Sequence, residues 1–126
     1  MPSQKTILCV DDDKMCRHIL CEFIGRLGHY TTEEAESGQD CLDFLKLNRV
    51  DLVILDYNLG DTDGLTVCRE IQSNSLNPEV PVIINSVLDR QDLKNHCGNN
   101  NIVKIVQKPY SFDHLQQDIE TFVEAS

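Results

Sequence analysis

Apolar residues follow two rhythms that alternate along this chain. Continuous apolar runs occur at Ile7-Leu8-Cys9-Val10, Leu52-Val53-Ile54-Leu55 and Val80-Pro81-Val82-Ile83-Ile84, with another from Ile102 to Val106. Such runs, rich in β-branched residues, read as short strands, those covered on both faces being apolar throughout. Between them the spacing lengthens to three and four. Cys16, Ile19, Leu20, Phe23, Ile24 and Leu27 predict one amphipathic helix, and Cys41, Leu42 and Leu45 a second. Leu65, Cys68 and Ile71 predict a third, and Leu115, Ile119, Phe122 and Val123 the last. A fourth helix over Leu88 to Cys97 is supported only by Leu88, Leu93 and Cys97. His29 to Glu34 is polar and Thr-rich, as an edge strand tolerates. The punctuation agrees. Asp11-Asp12-Asp13 stands at the positive end of the first helix dipole, and Gly28 ends that helix. Ser37 and Ser111 read as N-caps, and Asn74 to Pro78 is turn chemistry.

The order is therefore β-α repeated five times. Strands alternating with helices imply right-handed crossovers and helices on both faces of the sheet. The predicted fold class is α/β, a (βα)5 doubly wound five-stranded parallel sheet. At 126 residues the chain is long enough for one full core, and 1–126 reads as a single domain with no repeat or linker.

Composition changes the picture in three ways. With 11 basic and 21 acidic residues the net charge is −10, which repels a phosphate backbone and speaks against direct nucleic-acid binding. It suits a domain that gathers cations or docks on basic partners. No apolar run approaches membrane-spanning length and Met1-Pro2-Ser3-Gln4-Lys5 has no signal core, so no membrane association and a cytoplasmic location are expected. Six cysteines, at 9, 16, 21, 41, 68 and 97, form no Cys-x-x-Cys pair and read as small buried thiols.

The chemistry lies at the strand ends. The first strand stops at Asp11 and Asp12, the third at Asp56, the fourth at Ser86 and the fifth at Lys108. In a parallel sheet these ends share one edge, where open α/β sheets bind ligands. Three neighbouring carboxylates repel, which raises a pKa unless a cation intervenes. Hard oxygen ligands suit Mg²⁺, with Mn²⁺ as an alternative ion. One carboxylate can then attack phosphorus and form an aspartyl phosphate, with Lys108 neutralising charge and Ser86 donating a hydrogen bond. Singly, each motif has a plainer reading: a solvated cap cluster, a turn aspartate, a strand-end hydroxyl, a loop lysine. Four of them at four apolar strand ends make the chemical reading the stronger one.

On these residues the chain resembles the receiver domain of two-component response regulators, of the chemotaxis-regulator-like single-domain kind. Ile7 to Asp13 is similar to the family's first strand and acidic pair. Leu55-Asp56 followed by Asp63-Gly64 resembles the phosphoacceptor strand and its turn into the third helix. Pro81 to Ser86 resembles the strand ending in the Ser/Thr switch residue, and Lys108-Pro109-Tyr110 the Lys-Pro-aromatic signature, whose peptide bond is usually cis. The resemblance implies a flavodoxin-like sheet with strand order 2-1-3-4-5. It implies Asp56 as phosphoacceptor, and Asp11, Asp12, Asp56 and the Asn58 backbone carbonyl as Mg²⁺ ligands, Asp12 being the more direct of the acidic pair. Ser86 would sense the phosphoryl group and Lys108 would pair with it. The implied partners are a sensor histidine kinase or a histidine phosphotransfer protein. A downstream protein would dock on the face made by the fourth helix, fifth strand and fifth helix. The domain would catalyse its own phosphorylation and dephosphorylation without being a turnover enzyme.

Departures from the family set further expectations. Ile105 stands where the family commonly has an aromatic residue that swings inward, so the output step is expected to differ. Leu59-Gly60 replaces a common Met-Pro and Thr62 a usually apolar residue, which predicts a more mobile loop. Asn101-Ile102 replaces a frequent Gly-Ala. Asn58 and Leu88 flank the phosphoryl site and are expected to tune water access. Two other readings stand beside the switch: an aspartyl-phosphate hydrolase, disfavoured because Asn58 is no general acid, and a pseudo-receiver acting only as an interaction module. A receiver cut from a longer transcriptional or enzymatic regulator is a third alternative.

Overall fold

The computed structural model describes residues 4–96, 101–109 and 111–124. Five parallel strands form one sheet: β1 (Lys5–Val10), β2 (Tyr30–Ala35), β3 (Leu52–Asp56), β4 (Val82–Ser86) and β5 (Ile102–Gln107). Their order is β2-β1-β3-β4-β5, so the fold is the flavodoxin-like arrangement. The helices are α1 (Lys14–Arg26), α2 (Gly38–Leu47), α3 (Gly64–Asn74) and α4 (Phe112–Glu124), the last being the fifth predicted helix.

Each strand alternates between two cores. Leu8, Val10, Val53, Leu55 and Ile84 pack with α2 and α3, while Ile7, Cys9, Ile54 and Ile83 pack with α1 and α4. β2 is the edge, and only Tyr30 and Ala35 at its two ends are buried. Asp13 caps α1 by accepting from the Cys16 N–H at 3.1 Å, and Ser37 caps α2 by accepting from Asp40 at 3.0 Å. Asp63 caps α3 at 2.8 Å through Thr66.

Two expectations need correction. The predicted fourth helix is a 3-10 helix over Gln91–His96. Of its described supports only Leu93 is buried and Leu88 is exposed, while Cys97 lies outside the described residues. One buried side chain does not offset the price of helix nucleation. On α1 the buried stripe is Arg17, Leu20, Cys21 and Ile24, leaving Cys16 and Ile19 exposed. The stripe is set by what the sheet covers, and positions 16 and 19 stay exposed beside it. The other described thiols, Cys9, Cys21, Cys41 and Cys68, are buried and unpaired as expected. Burial pushes Cys41 and Cys68 up to about 12, which makes them unreactive.

Candidate phosphorylation and metal site

The strand order reverses between β1 and β3, which opens a crevice at their carboxyl ends. Asp11 follows β1 and Asp56 ends β3. Carboxylate oxygens of Asp11, Asp12 and Asp56 lie within 4.8 Å of one another. Lys108 arrives from the far side, with Nζ 2.9 Å from Asp11 Oδ2 and 3.6 Å from Asp56 Oδ2. These four side chains, which the sequence assigned to the ends of three strands, are thus brought together. The donor set, hard oxygens in a shared cleft, fits a small divalent cation.

The site is electrostatically loaded. Burial is the main reason that the Asp56 carboxyl is pushed up to about 6; the Asp11 and Asp12 charges add to this and Lys108 opposes it. Burial works against the Lys108 ammonium too. The Asp11 hydrogen bond and the neighbouring carboxylates outweigh it and hold the lysine above its ordinary value.

Asp11 is held on every side. Its N–H donates to Ala35 at 3.2 Å and its Oδ1 accepts from the Asp13 N–H at 2.9 Å. Its backbone carbonyl accepts from Arg17 Nη1 at 2.8 Å, while Arg17 Nε donates to Glu34 at 2.8 Å. The sequence reading missed Arg17. Its signal was there, a cation at the head of the 17, 20, 21, 24 stripe.

Ser86 is buried at the end of β4 and lines the same cleft, as do Asn58 and Leu88. Its Oγ accepts from the Leu88 N–H at 3.2 Å, which leaves its proton for another acceptor. The Lys108 N–H donates to the Ser86 carbonyl at 2.7 Å, and the Lys108-Pro109 bond is cis. Tyr110 lies outside the described residues. Arg90 also lines the cleft and stacks over the Tyr57 ring at 4.1 Å. Sequence gave no hint of it, since the contact joins two loops. Ile105 is half-buried against the α2–α3 core.

The loop after Asp56 is tied down, contrary to the mobility read from Leu59-Gly60. Leu59 is buried, and its N–H donates to Thr62 at 3.1 Å across an Asn58–Asp63 bridge. Gly60 adopts φ +82°, which proline could not. The Asp61 carboxylate accepts from Gly38 at 3.0 Å and Gln39 at 3.1 Å, joining the loop to the start of α2. The Gly38 bond holds the Asp61 carboxyl below its ordinary value. Asp61→Ala is expected to cost about 1 kcal/mol, the usual effect of losing an N-terminal cap. It should also speed amide exchange at Gly38, Gln39 and Leu59. Wild-type exchange rates at all three amides would count against the tether.

Comparison with known proteins agrees with this geometry. The family model of the response regulator receiver domain matches residues 7–120. The sensor histidine kinase RcsC of Salmonella typhi is 31% identical over 119 residues, covering 94% of this chain and 12% of RcsC. The transcriptional regulatory protein PdtaR of Mycobacterium tuberculosis is 26% identical, covering 94% of this chain and 57% of PdtaR. This chain thus spans a small part of the first relative and just over half of the second. Among solved structures, the response regulator TrrA from Thermotoga maritima, in complex with Mg²⁺ and beryllofluoride, superposes with a TM-score of 0.80 at 27% identity, covering 94% of this chain and 99% of TrrA. Among the described residues no helix is long and apolar enough to cross a membrane.

Proposed function

The chain belongs to the response regulator receiver domain family, and from that premise we propose that Asp56 is its phosphoacceptor and that its phosphorylation drives a signalling switch. Receiver domains are signalling modules, not enzymes that turn over an external substrate. The proposed donor is the phosphohistidine of a sensor histidine kinase or histidine phosphotransfer protein. The observation that carries the reading is the meeting of Asp11, Asp12, Asp56 and Lys108 at one sheet edge.

Asp11, Asp12, Asp56 and the Asn58 carbonyl would hold Mg²⁺, or Mn²⁺ in its place. The ion, when bound, supplies neutralisation of the carboxylates and of the incoming phosphoryl oxygens. TrrA, solved with Mg²⁺ and a beryllofluoride group, supports this assignment. An Asp56 oxygen attacks phosphorus as the bond from phosphorus to the donor imidazole breaks, which leaves a mixed anhydride on the chain. Lys108 pairs with the phosphoryl group, and the Ser86 hydroxyl donates to it. Ser86 is bonded to the Leu88 N–H, so its movement pulls on the segment leading to the 3-10 helix. That segment, β5 and α4 form the proposed output face for a downstream protein. The 87–96 segment is the part that shifts between two states, because among its described residues only Leu93 is buried. Hydrolysis of the anhydride by water resets the switch, a step that the domain itself would promote.

The test is intact mass after incubation with Mg²⁺ and phosphoramidate. One labile phosphoryl adduct is expected, absent in Asp56→Asn and absent without a divalent ion. An unmodified wild-type chain would instead favour a phosphorylation-independent interaction module.

A further inference from the structure

Asn85 is a buried polar residue that the site as described does not use. It is 4% exposed, and its Oδ1 has no hydrogen-bond partner among the described residues. An unpaired buried carbonyl is uncommon and asks for a reason.

Its position supplies one. β4 alternates, with Ile83 facing the α1–α4 core and Ile84 the opposite core. Asn85 therefore projects on the α1–α4 side. Its partner in β3 is Asp56 and its partner in β5 is Val106, and register partners in a parallel ladder share a face. Lys108 follows Val106 by two residues and projects the same way. The strand order then imposes a path. Lys108 leaves the end of β5 and reaches Asp56 on β3 and Asp11 beyond β1, so its side chain must cross the end of β4. Asn85 is the β4 side chain on that face.

We propose that Asn85 is a positioning residue for Lys108, its Oδ1 accepting an ammonium N–H once a phosphoryl group on Asp56 has drawn the lysine into a new position. The ammonium has three donors. One is donated to Asp11, and Asp56 Oδ2 lies 3.6 Å away as an ion-pair partner. Phosphorylation turns the Asp56 carboxylate into an anhydride and moves negative charge outward, so the ammonium must follow, and a further donor then finds the orphan oxygen. An acceptor unpaired in the resting state and paired in the phosphorylated one favours the phosphorylated state. This inference rests on Asp56 being the phosphoacceptor.

The experiment compares phosphoramidate-driven phosphorylation of wild type, Asn85→Leu, Lys108→Ala and the double variant at saturating Mg²⁺. Leucine keeps the volume and removes the acceptor. Asn85→Leu should keep its Mg²⁺ affinity and lose about tenfold in the steady-state level of phosphorylated chain, within the range for one buried hydrogen bond. In the Lys108→Ala background the same change should have no effect. Equal phosphorylation of Asn85→Leu and wild type overturns the inference alone, as does an equal loss in both backgrounds. A wild-type chain that takes no phosphoryl group overturns the proposed function and this inference with it. If Asn85→Leu fails to fold, the wild-type side-chain amide of Asn85 is followed by NMR on adding Mg²⁺ and beryllofluoride. It should shift in wild type and stay still in Lys108→Ala, and no shift in wild type refutes the role.

Discussion

Asp56→Asn is expected to end phosphoryl uptake and, with chelator present, to stabilise the fold at neutral pH by about 1–2 kcal/mol. The reason is the raised carboxyl. Asp56 sits at about 6 in the fold against 3.8 for the free group. The folded chain therefore holds this proton more tightly than the unfolded chain does. The contribution of Asp56 to stability therefore falls as pH rises from 3.8 to 6, and the penalty is fully present above 6. Fully expressed, the move from 3.8 to about 6 would correspond to nearly 3 kcal/mol, but the open mouth of the cleft screens part of it, hence about 1–2. Urea denaturation of both proteins near pH 7.5 and near pH 4 checks the sign. The variant should lead at the higher pH and lose its lead at the lower. A constant lead at both would mean that ionisation is not the cause. Adding Mg²⁺ should raise wild type more than the variant, because the ion compensates the same repulsion.

Arg17→Met is expected to destabilise the domain by about 2–3 kcal/mol and to weaken Mg²⁺ binding. Methionine keeps much of the buried stem, so the loss falls on the guanidinium. That group joins the Asp11 carbonyl on β1's exit to Glu34 near the end of β2. Without it a buried carbonyl is orphaned and the acidic loop loses one of its restraints. Glu34 is 46% exposed in its side chain, so its half of the link is worth less. Glu34→Gln, which keeps an acceptor, should cost under about 1 kcal/mol and leave Mg²⁺ binding near wild type. Calorimetric Mg²⁺ titration beside denaturation separates the two effects. A full loss of stability with unchanged Mg²⁺ affinity would make Arg17 a packing residue only.

These two predictions differ in how legible their residues were. Asp56 could be read from the chain because an apolar run that ends in an acid is a local pattern. Arg17 could not be placed, since the helix pattern allowed two neighbouring stripes. Cys16 and Ile19 belonged to the stripe read from sequence, whereas Arg17 and Cys21 belong to the buried one. The turn of α1 that faces the sheet depends on contacts with β1 and β2. The same holds for the loop after Asp56. Gly60 suggested freedom, but the Asp61 bonds to α2 join residues 22 and 23 positions apart. The segment 88–97 was read as a helix from three apolar residues; of the two described, Leu93 is buried and Leu88 is exposed.

The sequence by itself determined four buried strands, a polar edge strand and their order along the chain, and which reactive group ends each of the four. It did so because burial on both faces demands continuous apolar runs, and the residue that ends a run is fixed by covalent succession. Only the tertiary structure decided how those ends meet. The β4–β5 register slips by one residue between Val82 and Ile83, pairing Ile83 with Lys104 and Ser86 with Gln107. That slip sets Lys108 one step past Ser86 and on the face from which it reaches Asp56 and Asp11. It also decided that Asn85 lies under the path of Lys108. Register and facing are properties of pairs of strands far apart in the chain, so no local pattern carries them.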